Sequence, residues 1–303
     1  MYGVPTATAG GRDAGADRPL PTFAERRRLA AAALVAALAF AIAAPAPASP
    51  ALAPATAPAS GSSAAPQGFG KRLLADLLAL VTKPAHMDAR DWTNLGLGTL
   101  AVVGTATLDP RVRTWAQDHR STSSDDLATS IRPLGQWGAF AILGATWLSG
   151  KAWSKPSLTS TAEDGLEAAI LAAGVVTPVL KEVVGRQRPS YGAGHATFKP
   201  FAGGASFPSG DVTLAFSVAS VFAAHASSLW VKGSAWGLAG LVGWERIHLD
   251  RHWASDVVAG ALIGSAVGDW VVHRHEPGGT TSAWAVVPSI GPGEVGMTVA
   301  RSW

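Results

Sequence analysis

Three short polar clusters between Lys181 and Asp256 carry side chains suited to handling an oxyanion. The first reads Lys181-Glu-Val-Val-Gly-Arg-Gln-Arg188-Pro189. Lys181 follows an apolar stretch, and Pro189 pushes Arg188 into an extended conformation, so a helix ends here and two cations can converge. Arginine offers a planar fork for two oxygens, and lysine a point charge. The plainer reading is a basic helix end offsetting the dipole. The second cluster, Phe207-Pro-Ser209-Gly210-Asp211, directly precedes a long uncharged stretch. It places free backbone N–H groups and a hydroxyl at the positive end of a helix, a natural anion site, and Gly210 permits close approach. Ser209 or Asp211 serving only as an N-cap reads the same way. The third cluster runs Glu245-Arg246-Ile-His248-Leu-Asp250-Arg251-His252-Trp-Ala-Ser255-Asp256. His252 and Asp256 are four apart and share a face if a helix starts here. A carboxylate on one imidazole nitrogen fixes the tautomer and frees the other as base or nucleophile. An interfacial histidine beside a helix-start carboxylate is the alternative.

The elements that position these clusters read as helices. Segment 71–82 places Leu73, Leu74, Leu77, Leu78 and Leu80 at mostly helical spacing. Uncharged stretches follow at 92–108, 133–150, 168–180, 212–231, 233–244 and 257–268. The expected fold class is all-α: a helix bundle of about six core helices, membrane-associated, with a short C-terminal β-hairpin. Of these stretches, only 212–231 reaches the roughly 20 apolar residues that a membrane crossing needs. Several of the 12 tryptophans stand near the ends of the stretches, as interfacial anchors do.

Composition narrows the classes further. Only 15% of the 303 residues are charged and 48% are hydrophobic, which excludes a mainly disordered chain. Lys and Arg number 24 against 21 Asp and Glu, so no basic excess exists to track a nucleic-acid backbone. Cysteine is absent, which removes disulfides, Cys-ligated metal sites and thiol nucleophiles. Arg26, Arg27 and Arg28 precede an uncharged stretch over 29–44 and an Ala-Pro-Ala tract, the pattern of an export signal. The sequence therefore predicts a signal over 1–48, processed before Ser49. A Pro/Ala spacer over 49–68, a helical domain over 69–276 and a tail over 277–303 follow. In the tail, two short strands flank a turn at 288–293.

Taken together and in this order, Lys-x6-Arg-Pro, Pro-Ser-Gly and Arg-x5-His-x3-Asp resemble the tripartite signature of the type 2 phosphatidic acid phosphatase superfamily. That superfamily includes lipid phosphate phosphatases, bacterial acid phosphatases and vanadium haloperoxidases. The resemblance covers about 168–268. It implies that His252 attacks phosphorus to form a phosphohistidine, that Asp256 orients and charge-stabilises it, and that Lys181, Arg188, Ser209, Gly210 and Arg246 hold the phosphoryl oxygens. It implies no metal and no cofactor, a phosphorylated small-molecule or lipid substrate, a membrane as partner and an outward-facing site in the bacterial cell envelope. Two positions depart from the pattern. Glu245 stands where the family usually has Ser. Asp211 stands where it has the His that protonates the leaving group, which makes Asp211 the expected acid and leaves His195 and His248 as substitutes. The resemblance also admits a vanadium-dependent haloperoxidase, or a phosphate-binding relative with impaired catalysis.

Overall fold

The computed structural model describes residues 68–276 and the backbone of 284–291 and 294–301. The export signal expected over 1–48 and, apart from Gly68, the spacer over 49–68 lie outside the described residues. Helices come in the order α1 (Phe69–Thr82), α2 (Ala89–Ala106), α3 (Asp109–Asp118), α4 (Thr122–Ile131), α5 (Trp137–Ala152), α6 (Pro156–Ala169), a π-helical stretch (Ile170–Val176), α7 (Thr177–Val184), α8 (Gly210–His225), α9 (Leu229–His248) and α10 (Ala254–His275). The expected all-α bundle is what forms. Six long units make its body: α2, α5, the continuous α6–α7, α8, α9 and α10. Pro178 lacks the N–H that would bond Gly174, and the ladder widens to a π turn just before it.

Helices α3 and α4 were not legible as apolar stretches. α3 is interrupted by Arg and Asp, α4 is Ser-, Thr- and Asp-rich, and α4 is started by reciprocal capping between Ser121 and Ser124. The uninterrupted 212–231 stretch is also corrected. The helix stops at His225, Ala226 is extended, and Ser228 opens α9. Serines compete with the helical backbone for hydrogen bonds, and His225 is tied to Asp164 at 2.9 Å, so the chain turns here. Among the described residues, α10 is the one helix long and apolar enough to cross a membrane, and half of its apolar window is buried inside the protein.

Helix α8 runs through the middle. Val212 and Ala215 face α4 and α9, Leu214 and Val218 face α5 and α6, and Val221 faces the π stretch and α10. Its pairing with α10 depends on Gly260, Gly264 and Gly268. A Cβ at these positions would lie 2.7 Å from Ser209 O, 2.4 Å from Thr213 O and 2.0 Å from Ser220 Oγ. No side chain fits between the two backbones, which is how small residues bring helices close.

The two ends of α10 serve different neighbours. Its N-terminal end carries Asp256, whereas Arg274 and His275 at the other end hold Asp76 of α1. Nineteen residues of helix separate these ends by about 28 Å. In the tail, β1 (Trp284–Gly291) pairs antiparallel with β2 (Glu294–Arg301). The turn is tighter than the 288–293 reading, because Pro288 still pairs with Met297.

Candidate active site

The pocket forms where α7, α8, α9 and α10 bring their ends together. Gly185 ends α7 with a left-handed φ of 62°, and a Cβ there would lie 2.0 Å from Lys199 O. Only glycine allows the following loop to fold back this closely. Lys199 N then donates to Gly185 O at 2.8 Å and Phe201 N to Glu182 O at 2.7 Å. This closure carries 186–206 back to the mouth of α8.

Lys181 reaches out of α7 and donates through Nζ to Ala205 O at 2.6 Å and Pro208 O at 2.7 Å. It thereby braces the turn that presents Ser209 and Gly210. Ser209 is fully buried, and its N–H donates to Asp256 O at 3.0 Å, fastening the start of α8 to the start of α10. Asp256 accepts from Trp253 N–H at 2.9 Å, from Ser206 Oγ at 2.5 Å and from Arg186 Nη1 at 2.8 Å. The capping role and the orienting role are thus filled by one carboxylate. His252 Nδ1 faces Asp256 Oδ2 at 3.6 Å, and its backbone N–H donates to Arg246 O at 3.2 Å. The turn leading into His252 is pinned by Asp250, at φ 56°, whose carboxylate accepts two hydrogen bonds from Arg113 at 2.7 and 2.9 Å.

All eight residues singled out from the sequence therefore meet at one end of the bundle. Two of them meet in an unforeseen way. The guanidinium of Arg246 is gripped on one edge by fully buried Glu245, while its Nη1 donates to Asp211. Glu245, in place of the usual hydroxyl, fixes the plane of Arg246. Of the two substitute histidines, His248 is committed elsewhere, with Nε2 2.9 Å from Asp125 and its ring stacked on Trp244. His195 stays at the rim, its ring edge-on to Trp253 and its carbonyl accepting from Arg186.

Sequence reasoning missed the layer behind His252 and Asp256. Arg186 is buried and donates to Asp256, to Ser255 Oγ at 2.7 Å and to Asp109 Oδ2 at 2.6 Å. Asp109, fully buried at the start of α3, also accepts from Ser255 N–H at 2.9 Å. Its one trace in the sequence is that it ends the uncharged 92–108 stretch.

Burial and the neighbouring Arg188 push Lys181 down to about 8, with Asp256 and Asp211 pulling the other way. Burial likewise holds the His252 imidazole below its usual value, against the opposing pull of Asp256. A neutral imidazole with a lone pair available is the form that can attack. Burial pushes Glu245 up, against Arg246. Five buried side-chain atoms among the described residues have no hydrogen-bond partner, and Arg188 Nε, Ser209 Oγ and His252 Nδ1 are three of them.

The lowered Lys181 gives a pH prediction. Lysine is charged below its pKa, so attraction for a phosphoryl dianion is complete below about 8 and is lost above it. kcat/KM should fall on the alkaline side near that pH, and Lys181→Arg should move the fall upward. A pH–rate profile in which Lys181→Arg leaves the alkaline limb in place would assign that limb to another group.

Residues 166–277 match the family model described as the PAP2 superfamily. The resemblance read from the three motifs is thus borne out by a family-model match. The match begins in α6, ends just past α10 and contains all eight residues named above. Over 66 residues the chain is 39% identical to a lipid A 1-phosphatase of Porphyromonas gingivalis, covering 21% of this chain and 15% of that protein. The PAP2 segment thus matches a small part of that relative's length. Among solved structures, Aquifex aeolicus LpxE is 27% identical, with a TM-score of 0.44, covering 55% of this chain and 94% of that one. A transmembrane PAP2-type phosphatidylglycerolphosphate phosphatase from Bacillus subtilis is 21% identical, with a TM-score of 0.46, covering 62% and 96%.

Proposed function

We propose that this chain is a phosphatase of the bacterial envelope that hydrolyses lipid phosphates through a phosphohistidine on His252, with its pocket facing outward. The observation that carries the reading is the pair of unpartnered buried donors, Arg188 Nε and Ser209 Oγ, in a pocket that also holds Lys181, Arg246 and a neutral His252. Buried donors are normally satisfied, so a cluster left open beside a nucleophile awaits an anion. The matched family model and the phosphatase named among the relatives support the same reaction class.

In this mechanism His252 attacks phosphorus through the nitrogen that does not face Asp256, and the phosphorus–oxygen bond to the alcohol breaks. Asp256 stabilises the imidazolium that forms. Lys181, Arg188, Ser209, Gly210 and Arg246 hold the three equatorial oxygens. Asp211 delivers a proton to the departing alcohol after its contact with Arg246 is exchanged for the phosphoryl group. Water, giving a proton to Asp211, then attacks the phosphohistidine; the phosphorus–nitrogen bond breaks, which releases phosphate and restores His252. The donors and cations of the chain supply the charge stabilisation that phosphoryl transfer depends on.

A lipid substrate is favoured by the surroundings of the pocket. An apolar groove of about 360 Å3 runs between α5, α8 and α9, from Leu134 and Val242 to Phe222 and Trp230. Its head lies beside the anion site: a Cβ on Gly135 would lie 3.1 Å from Asp211 Cβ and 2.6 Å from Val242. The thirteen residues of α9 from Trp230 to Val242 span about 18 Å, enough for a hydrocarbon chain. Large apolar side chains on α2, α5 and α9 face outward, with Trp230 87% exposed, as on a surface meeting lipid.

The test is hydrolysis by purified protein in detergent. Phosphatidate should be turned over with a higher kcat/KM than a soluble aryl phosphate, and vanadate should inhibit both. Asp211→Asn should slow the alkyl ester more than the aryl one, whose leaving group needs little protonation. Vanadate-dependent halide oxidation in place of inhibition would make the chain a haloperoxidase. No turnover of either ester would make it a binding protein.

A further inference from the structure

The other end of the bundle holds a second buried polar cluster that the phosphatase reading does not use. From its geometry we infer that Asp76, Glu167 and His275 form a binding site for a divalent transition ion, zinc above all, that clips α1 to α6 and α10. One ligand atom from each of the three lies within 4.8 Å of the others. Asp76 is 3% exposed and Glu167 fully buried.

His275 and Asp76 each have one atom held from behind and another facing the cluster. His275 Nδ1 is 2.8 Å from Asp164 Oδ1, and Asp164 is itself held by His225 Nε2 at 2.9 Å. A carboxylate on Nδ1 places the proton there and leaves the Nε2 lone pair facing the cluster, the arrangement found behind metal-bound histidines. Asp76 Oδ1 accepts from Arg274 Nε at 2.8 Å, which leaves Oδ2, 2.8 Å from His275 Nε2. Glu167 Oε2 accepts from Arg72 Nε at 2.9 Å and stands 3.9 Å from His275 Nε2. Glu167 Oε1 is buried with no donor at all.

Two carboxylates and an imidazole gathered this closely, with Glu167 Oε1 left bare, form a ligand set that a cation would complete. Ligands about 2.0–2.2 Å from a tetrahedral zinc stand roughly 3.3 Å apart, so the 2.8 Å pair has to open slightly and Glu167 to close in. One imidazole with two carboxylates suits zinc, whereas magnesium prefers oxygen ligands and keeps its waters. Arg72 and Arg274 remain on the outer oxygens, where they balance the carboxylate charge.

The ligands come from three elements, so binding should read out as stability. Tag-free full-length protein, stripped with chelator, loaded with zinc and desalted, should retain about one equivalent. Its Tm should rise by roughly 5–10 °C with free zinc at a hundredfold excess over Kd. Magnesium should give neither effect. Glu167→Gln and His275→Gln preserve size and polarity and should each abolish retention and the Tm rise. Cobalt in place of zinc should give a visible band that disappears in His275→Gln. Wild-type protein that retains no zinc, or retention undiminished in both variants, would overturn the site. The wild-type measurement decides even if a variant fails to fold.

Discussion

Replacing His252 with alanine is expected to lower kcat by on the order of 10^4-fold or more, to the background of the assay. The expectation rests on position. His252 is buried, neutral by virtue of that burial, held at its backbone by Arg246 O, and faces Asp256 through Nδ1 at 3.6 Å. No other described histidine can take its place, since His248 is held by Asp125 and His195 lies at the rim against Trp253. Rapid-quench labelling with a phosphorylated substrate should trap an acid-labile, alkali-stable phosphoenzyme in the wild type and none in the variant. Binding of vanadate or inorganic phosphate should survive, because Lys181, Arg188 and Ser209 are untouched. A phosphoenzyme that persists in His252→Ala would move the nucleophile elsewhere.

Arg186→Met should be the most costly single substitution for stability, at about 3–5 kcal/mol. Arg186 is buried between two fully buried carboxylates, Asp109 and Asp256, and its guanidinium lies 5.4 Å from the Trp253 ring centroid. Removing it strands two negative charges where water does not reach, although Ser206, Ser255 and Trp253 N–H each still donate to one of them. A loss of that size is a large share of the roughly 5–15 kcal/mol that holds a typical domain together. Arg186→Lys keeps a charge and loses the fork, so it should fall between. Arg186→Met combined with Asp109→Asn should recover part of the loss, because one stranded charge is gone. Denaturant unfolding of the solubilised protein measures all four. Equal stability of Arg186→Met and wild type would show that the network contributes nothing net.

The chemistry was legible because it is local. Lys181 and Arg188 straddle one helix end, Ser209 and Gly210 begin another, and His252 and Asp256 are a single helical turn apart, so short spacing rules reach them. The pairing of Arg186 with Asp109 is not local. It joins residues 77 positions apart, and only the folded chain brings α3 under α10. Asp211 and Glu245 stood out as departures, but their shared grip on Arg246 depends on how α8 crosses α9. Most of the long helices were readable from apolar runs, whereas α3, α4 and α6 up to residue 167 were hidden by polar composition. The break at Ala226 was missed because a run of small residues looks alike in a helix and in the turn that ends it.

The backbone-to-backbone seam between α8 and α10 also bears on how such a chain could change its diet. Ser209 and Asp256 are spaced by glycines whose nearest neighbours at Gly260 and Gly264 are backbone atoms, so substitution there cannot tune that spacing in small steps. The groove-lining residues of α5 and α9, by contrast, meet it through side chains whose size can vary. Adaptation to a longer, shorter or branched substrate is therefore channelled to one side of the bundle. A library that randomises Leu134, Ile142, Leu238 and Val242 should yield altered chain-length preference at undiminished rate, and one that randomises Gly260, Gly264 and Gly268 should return glycine.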